Sequence, residues 1–275
     1  MRRILPRFKR LRYRVRLFFD LDGTLTDPAE GIVNSLRHAL ERLGQPERST
    51  GELERWIGPP LRDAFAELLG TDDRAVVERA VETYRERFGS TGILENRVYA
   101  GIPEALERLR GSGWELHVVT SKPWVYARRI LDHFELARHF VQTFGSELSG
   151  ERSRKDELVG HTLGVLGDGP RTWMVGDRSY DMAGARAHGV GTLGVLWGYG
   201  SRSELLEAGA MQVVTDPTRS AVGRKSRSTE QPPNRYRSDA RFRTSEIGAV
   251  GCSTMALTRK RCPSADTSYS CVTSP

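Results

Sequence analysis

Residues 15 to 27 read VRLFFDLDGTLTD, an apolar run followed by three carboxylates. The run has the length and composition of a buried β-strand, so Asp20 and Asp22 lie where that strand ends. Side chains two residues apart leave a strand on the same side, and ligands of open α/β sheets bind beyond the carboxyl ends of the strands. We therefore expect Asp20 and Asp22 to face one pocket.

Two neighbouring carboxylates at such a place indicate a cation. Close carboxylates repel one another, and their burial is costly unless a positive charge compensates them. Mg²⁺ is the natural candidate because it binds carboxylates, water and substrate phosphate. Gly23 permits a tight turn behind the pair, and Thr24 adds a hydroxyl and a backbone N–H. An Asp-x-Asp pair alone is a weak signal, so the prediction depends on what distant segments supply.

Two further β-rich runs are followed by polar residues. Residues 116–119 precede Thr-Ser-Lys at 120–122, which puts hydroxyls at a second strand end. Residues 172–175 precede Asp177 and Asp181, which share a face if a helix begins there. These residue types also serve as ordinary helix caps and first-turn acids, but their occurrence in this order at successive strand ends favours a site.

Two lysines compete for a phosphate-binding role. Lys155 opens a stretch in which Leu158, Thr162 and Leu166 recur with helical spacing, just before the strand at residues 172–175. Lys122 follows the second strand and is the alternative. We favour Lys155 because of its position before that strand.

The segments resemble, in order, the four motifs of the haloacid dehalogenase superfamily of phosphohydrolases, and within it the phosphoglycolate phosphatase-like branch. The resemblance covers about residues 14 to 217, and its first and fourth motifs are the specific ones. The matching residues are Asp20-x-Asp22-Gly23-Thr24, Thr120, Lys155 and Gly176-Asp177-x-x-x-Asp181, with Gly58-Pro59-Pro60-Leu61 and the run from Gly194 to Gly200 as further similarity.

The resemblance implies a mechanism and a set of site residues. Asp20 would attack phosphorus and form an aspartyl-phosphate, and Asp22 would act as general acid and then as general base. Asp20, the backbone carbonyl of Asp22, Asp177 and Asp181 would hold Mg²⁺. The residues expected to bind phosphate are Thr120, Ser121 and Lys155.

The resemblance predicts a phosphoric monoester hydrolase, an Mg²⁺-dependent phosphatase for a small phosphate monoester. Phosphoglycolate is the first candidate substrate and a nucleoside 5′-monophosphate the second. A sugar phosphomutase would share all four motifs and stays open. The alternative outside enzymes is a polyanion-binding protein that acts through its basic termini.

Alternating strand and helix patterns predict an α/β fold with a Rossmann-like parallel-sheet core. Helical spacing between the first two strands predicts a helix from Ile32 to Leu43, and further helices at residues 52–69 and 73–88. The resemblance assigns this insertion, residues 28–98, to a small helical cap, and residues 14–27 and 99–217 to the catalytic core. The predicted strands lie at residues 15–20, 116–120, 141–144, 172–176, 191–196 and 211–215.

A cap that closes over the site and excludes water would set substrate choice. Basic residues on its helices are candidates for binding a second anionic group of the substrate, although such residues are usually solvated. These candidates are Arg37, Arg55, Arg62 and Arg85.

The formal charge of +7 belongs to the chain ends. Residues 1–16 carry 8 basic and no acidic residues, and residues 219–275 carry 11 basic against 4 acidic residues, so residues 17–218 are net −8. An acidic body argues against nucleic acid as its main substrate. Residues 1–13 form a basic extension. Residues 218–275 are expected to be a disordered tail, since the last 57 residues hold only six Leu, Ile, Val or Phe.

All three cysteines lie in that tail, at Cys252, Cys262 and Cys271. The body therefore has no disulfide and suits a reducing cytoplasm. The basic start lacks the apolar core of a secretory signal, and no apolar stretch is long enough to cross a membrane. We expect a small phosphorylated metabolite as partner, no membrane and no specific nucleic acid, in a monomer or homodimer.

Overall fold

The computed structural model describes residues 15–167 and 169–219, which fold around a six-stranded sheet. The strands are β1 (Val15–Phe19), β2 (Thr26–Asp27), β3 (Arg97–Val98), β4 (Glu115–Pro123), β5 (Gln142–Ser146), β6 (Arg171–Gly176), β7 (Gly191–Val195) and β8 (Gln212–Val214). The helices are α1 (Ala29–Arg42), α2 (Thr50–Glu54), α3 (Leu61–Leu69), α4 (Arg74–Arg87), α5 (Ile102–Gly111), α6 (Trp124–His133), α7 (Lys155–Leu166), α8 (Ser179–Ala187) and α9 (Arg202–Glu207).

The sheet has the order β5-β4-β1-β6-β7-β8, and all neighbouring strands are parallel. The predicted α/β fold with a parallel-sheet core is therefore confirmed. Because β1 lies between β4 and β6, the residues that follow these three strands meet at one edge of the sheet.

Burial on both faces explains why three consecutive apolar residues, Leu17 to Phe19, end β1. Leu17 and Phe19 belong to the larger hydrophobic cluster on one face, whereas Phe18 packs with Val159 and Met174 in a smaller cluster on the other. Strands covered on both sides are nearly continuous apolar runs. This packing fixes the end of β1, and hence the backbone position of the residues that follow it.

The helical insertion after β2 contains α1 to α4 and a π-helical turn at Phe88–Gly92, and it returns to the core through β3. β2 and β3 pair antiparallel, with Thr26 opposite Val98. The sequence did not predict this two-stranded ribbon, because each strand is only two residues long. The cap boundary at residues 28–98 stays a prediction.

The helix predicted at residues 52–69 is wrong as one element, because α2 and α3 are separate. Gly58 adopts φ +110°, and Pro60 is extended immediately before α3. A residue that precedes proline avoids the α region, and proline lacks the N–H that a helix interior needs. The intervening segment, residues 55–60, therefore turns away from the helix axis.

Two predicted boundaries also shift. The second strand does not end at Thr120 but continues to Pro123, with an irregular register against β5 between these two residues. The helix expected to begin at Asp177 begins at Ser179, so Asp177 lies in the preceding loop. Strand and helix ends depend on tertiary pairing, which explains shifts of a few residues.

The basic extension at residues 1–13, the tail from residue 220 onward and all three cysteines lie outside the described residues. Across the part of the chain that is described, no helix combines the length and the apolar character needed to span a membrane.

We expect a protein truncated after Thr218 to unfold at the temperature of the full-length protein. The last strand ends at Val214, and the guanidinium of Arg108 donates to the carbonyl oxygen of Thr218 at 2.8 Å. Truncation there keeps this contact and removes a net seven positive charges. Thermal unfolding monitored by circular dichroism tests whether the unfolding temperature is unchanged.

The same truncation tests the polyanion-binding alternative, because salt-sensitive binding to heparin should fall with the removed charge. A large drop in unfolding temperature would show that the core extends beyond Thr218. Unchanged heparin binding would show that the tail is not its source.

Candidate active site

Three carboxylates converge beyond the ends of β1 and β6. One oxygen from each of Asp20, Asp177 and Asp181 lies within 4.8 Å of the other two, and the residues are 7%, 0% and 1% exposed. We call this group the carboxylate cluster. Asp20 follows the strand directly, Asp177 precedes α8 and Asp181 lies in its first turn. The structure thus brings Asp20 together with two residues that lie 157 and 161 positions later in the chain.

Lys155 contacts the carboxylate cluster from the start of α7. Its Nζ lies 3.0 Å from Asp20 Oδ1 and 2.8 Å from Asp181 Oδ1, and it donates to the carbonyl oxygen of Val119 at 3.1 Å. Burial opposes the charge of Lys155, but Asp181 and Asp20 outweigh it and raise the pKa of the lysine. Lys155 is therefore positively charged at neutral pH.

One lysine does not neutralise three carboxylates. Burial, together with Asp181 and Asp20, raises the pKa of Asp177 well above its usual range. Burial also raises the pKa of Asp181 to about 6, although Lys155 opposes the rise. Both directions mean that the fully ionised cluster is unfavourable unless further positive charge is present. The donor set, three buried carboxylate oxygens, fits a hard divalent cation such as Mg²⁺.

Backbone and hydroxyl donors fix both oxygens of Asp177. Thr24 Oγ1 donates to Oδ1 at 3.1 Å, and the backbone N–H of Tyr199 donates to Oδ2 at 2.9 Å. Gly23 adopts φ +79°, and a β-carbon there would lie 2.2 Å from Asp177 Oδ2. The turn after β1 therefore requires glycine both for its conformation and for the close approach of the carboxylate.

Asp22 is not one of the three converging carboxylates and pairs with Lys122. Lys122 Nζ lies 2.5 Å from Asp22 Oδ2, with both side chains largely buried, and 4.7 Å from the centroid of the Phe88 ring in the insertion. Burial raises the pKa of Asp22, although Lys122 opposes this. A carboxyl group whose pKa is raised is suited to donate a proton. The two lysines thus differ in place: Lys155 contacts the cluster, and Lys122 contacts Asp22.

The two hydroxyl residues after the second strand lie at different depths. Thr120 is 2% exposed, and its Oγ1 accepts a hydrogen bond from the backbone N–H of Lys122 at 3.3 Å. Ser121 lies at a cavity wall, and its carbonyl oxygen accepts from Ser146 Oγ at 2.8 Å. Their assignment as phosphate ligands stays a prediction, as do the roles of Asp20, Asp22, Lys155, Asp177 and Asp181.

A cavity of about 230 Å³ lies between the helical insertion and the core and reaches Asp22, Ser121 and Lys122. Rings from the insertion and from α6 form much of its wall, and they contact one another: Phe88 stacks on Tyr84 and meets the edge of Tyr126. A cavity of this size accommodates a small molecule. The ring residues that line it are Trp56, Tyr84, Phe88 and Tyr126.

The four cap arginines lie in different places. Arg62 and Arg85 line the cavity, whereas Arg37 and Arg55 line other surface depressions. Arg62 is paired with Glu78 through two contacts of 2.5 and 3.0 Å. Arg85 donates to the carbonyl oxygen of Leu148 at 2.7 Å, and its buried Nε has no hydrogen-bond partner among the described residues.

Sequence reasoning assigned no role to Tyr199 or to Arg178, which both contact cluster carboxylates. The backbone N–H of Arg178 donates to Asp181 Oδ2 at 3.2 Å. The glycines on either side of Tyr199 are the feature of the sequence that could have identified this segment as part of the site. A β-carbon on Gly198 would lie 2.2 Å from the carbonyl oxygen of Gly23. Such a glycine marks a close backbone approach.

Comparisons with known proteins agree with this site. The sequence model of the haloacid dehalogenase-like hydrolases matches residues 17–195. A solved structure, a predicted phosphatase from Clostridium acetobutylicum, superposes with a TM-score of 0.71 at 38% identity and covers 74% of this chain and 94% of its own.

Three curated relatives carry different names. The 5′-nucleotidase of Pseudomonas aeruginosa is 50% identical over 71% of this chain and 88% of its own length. The tyrosine-protein kinase PtkA of Mycobacterium tuberculosis is 40% identical over 75% and 72%. The phosphoglycolate phosphatase of Aquifex aeolicus is 32% identical over 66% and 85%. The predicted class of phosphoric monoester hydrolase is confirmed, and the chain belongs to the haloacid dehalogenase-like hydrolase family.

Proposed function

We propose that this hydrolase is an Mg²⁺-dependent phosphatase that cleaves small phosphate monoesters through an aspartyl-phosphate on Asp20. The observation that carries the proposal is the convergence of Asp20, Asp177 and Asp181 within 4.8 Å, with Lys155 in contact, at the end of β1. Phosphate-monoester hydrolysis is among the slowest uncatalysed reactions, so stabilising charge on the transferring group is the main task. A cation and a buried lysine beside a carboxylate nucleophile meet that need.

In the first step, a carboxylate oxygen of Asp20 forms a bond to phosphorus while the bond from phosphorus to the leaving oxygen breaks. Asp22 gives its proton to the leaving alkoxide. In the second step, Asp22 accepts a proton from water, and the resulting hydroxide attacks phosphorus and releases Asp20 and phosphate. Burial raises the pKa of Asp22, which is the direction that favours proton donation, although Lys122 opposes the rise.

Lys155 and Thr120 would bind the phosphoryl oxygens, with Ser121 at the cavity wall. Asp20, Asp177, Asp181 and the backbone carbonyl of Asp22 would hold Mg²⁺. The ion, when bound, supplies positive charge that offsets charge on the phosphoryl group and orients it for in-line attack.

Phosphoglycolate is the first substrate candidate, on the resemblance of the motifs and the 32% identical phosphoglycolate phosphatase. A nucleoside 5′-monophosphate is the second, and a specific observation favours it: the partly exposed rings of Trp56 and Tyr126 line the cavity, and a base can stack on such rings. The 50% identical relative is a 5′-nucleotidase. A sugar phosphomutase is the third candidate function.

A phosphate-release screen over small phosphoesters, with and without Mg²⁺, tests the function. We expect release in Mg²⁺ from phosphoglycolate or from nucleoside monophosphates, and none in excess chelator. Conversion of a sugar phosphate to its isomer without phosphate release would instead show a mutase.

Substitutions of Lys155 and Arg62 should separate chemistry from selectivity. Lys155→Ala removes the charge that contacts the cluster, so we expect kcat/KM to fall by about 10²-fold or more for every substrate. Arg62→Ala alters the cavity wall, the pair with Glu78 and a 3.4 Å contact with the carbonyl oxygen of Leu148, and touches no carboxylate of the cluster, so it should change the ranking of substrates. Steady-state kinetics on a panel of phosphoesters measures both, and a series of cap variants with an unchanged ranking would place selectivity elsewhere.

The natural partner in this proposal is a small phosphorylated metabolite. The choice between monomer and homodimer, and the cytoplasmic location expected from the cysteine distribution, stay predictions.

A further inference from the structure

Arg178 contacts the carboxylate cluster with its backbone and the helical insertion with its side chain. Its N–H donates to Asp181 Oδ2 at 3.2 Å, and its Nη1 donates to the carbonyl oxygen of Ile57 at 2.7 Å. Glu204 orients the guanidinium by accepting from Nε at 3.0 Å. Ile57 is 1% exposed and precedes Gly58, which lines the cavity. The guanidinium thus joins the loop of the cluster to a wall of the cavity.

Tyr199 likewise contacts a cluster carboxylate, Asp177, with its backbone and a second element with its side chain. Its N–H donates to Asp177 Oδ2 at 2.9 Å, and its hydroxyl donates to Asp27 Oδ1. Asp27 is the last residue of β2 and also pairs with Arg97 of β3, at 2.6 Å. Tyr199 therefore joins the cluster to the ribbon through which the chain enters and leaves the insertion.

We propose that Arg178 and Tyr199 are positioning residues that couple cation loading of the carboxylate cluster to closure of the helical insertion over the cavity. A cation that fixes Asp177 and Asp181 also fixes the two N–H groups bonded to them, and the attached side chains then hold the insertion at Ile57 and at the ribbon. The coupling is reciprocal, so closure also favours the loaded cluster. This inference rests on the proposed function, since it requires cation binding at the cluster.

A contact between the core and the insertion that involves no cluster carboxylate provides a matched control. Arg129 of α6 donates to the carbonyl oxygen of Gly89 at 2.9 Å. This contact, like that of Arg178, joins a core guanidinium to a carbonyl oxygen of the insertion. Its loss removes a contact of the same kind without touching a cluster carboxylate.

Amide hydrogen exchange with and without Mg²⁺ tests the coupling. Arg178→Ala removes the guanidinium that contacts Ile57, and Tyr199→Phe removes the hydroxyl that contacts Asp27. Both variants keep the backbone N–H that donates to the cluster carboxylate. In the wild-type protein we expect Mg²⁺ to slow exchange about tenfold at residues 53–64 and at residues 26–32, the free-energy scale of one charged hydrogen bond. Arg178→Ala should abolish the effect at residues 53–64, and Tyr199→Phe should abolish it at residues 26–32.

The amides of residues 176–182 report cation binding itself and separate the two proposals. In both variants Mg²⁺ should still slow exchange at these amides. In Arg129→Ala, Mg²⁺ should slow exchange as in the wild type in all three segments, residues 26–32, 53–64 and 176–182. Suppose that Mg²⁺ slows exchange at residues 176–182 and that, in both variants, it slows exchange in the insertion as much as in the wild type. This result overturns the coupling and leaves the proposed function intact. An absence of any Mg²⁺ effect in the wild type overturns both.

Kinetics provide a second readout that a merely structural role does not predict. Loss of the contact between the Arg178 guanidinium and Ile57 lowers the population of the closed form. Arg178→Ala should therefore raise KM about tenfold and change kcat less than twofold. Glu204→Gln, which keeps the guanidinium but weakens its orientation, should raise KM less. If Arg178→Ala fails to fold, Tyr199→Phe and Glu204→Gln decide the proposal: unchanged exchange and KM in both overturn it.

Discussion

Asp20→Asn is expected to abolish phosphate release, with a loss of about 10⁴-fold or more in kcat, because an amide cannot serve as the nucleophile. The substitution keeps the volume and the end of β1 unchanged, so the protein should fold normally. Phosphate release under saturating substrate and Mg²⁺ measures the loss. Turnover at more than a few per cent of the wild-type rate would overturn the covalent mechanism.

Asp22→Asn separates the two carboxylates of the pair. It leaves the nucleophile in place and removes the acid/base, so we expect a loss of about 10²- to 10⁴-fold and a slowed or trapped phosphoenzyme. Mass spectrometry of the acid-quenched protein should find the phosphate adduct on Asp20 in Asp22→Asn and none in Asp20→Asn. Asp72→Asn, an exposed carboxylate of the insertion, is the control and should retain full activity.

Removal of the cation, by chelator or by Asp177→Ala, is expected to lower activity by about 10²-fold or more. Asp177 is fully buried in the carboxylate cluster, and its loss removes one of the three converging oxygens. Ca²⁺ should substitute poorly for Mg²⁺, because its longer and more variable coordination distances misplace nucleophile and phosphate. Full activity in excess chelator would rule out the metal-dependent reaction.

Thermal unfolding measures cation binding independently of activity. A ligand at 100 times its Kd stabilises the folded state by about 2.7 kcal/mol, so Mg²⁺ should raise the unfolding temperature of the wild-type protein. Asp177→Ala should lose this response. Asp132→Ala, which removes an exposed carboxylate paired with Arg128, should keep it. Asp177→Asn retains an acceptor for Thr24 and for the backbone of Tyr199, and thus shows how much of any instability comes from those hydrogen bonds.

The cap arginines show where sequence reasoning stopped. A basic residue on a helix is identifiable from its spacing, but its partner is not. Arg62 pairs with Glu78 on another helix and Arg85 with the carbonyl of Leu148 in the core. Neither partner lies at a helical spacing from its arginine, so nothing in the sequence pattern predicts these contacts.

The sequence alone determined the parallel sheet and the order of its site segments. Local patterns suffice for that: the apolar run at residues 15–19 has to be buried on both faces, and polar residues after such runs have to lie at one edge of a parallel sheet. The strand pattern places polar residues at successive strand ends, and the family resemblance implied that Asp20, Asp177 and Asp181 share one site; the structure places one oxygen of each within 4.8 Å of the other two.

Only the tertiary structure decided which side chains of distant elements contact one another. Arg178 to Ile57 spans 121 positions and Tyr199 to Asp27 spans 172. The positions of the two lysines also became clear only from the structure: Lys155 contacts Asp20 and Lys122 contacts Asp22. Which of them binds phosphate stays a prediction. The physical reason is range: hydrophobic periodicity reports burial within one element, whereas a side-chain contact depends on how separate elements pack, and no local pattern encodes that packing.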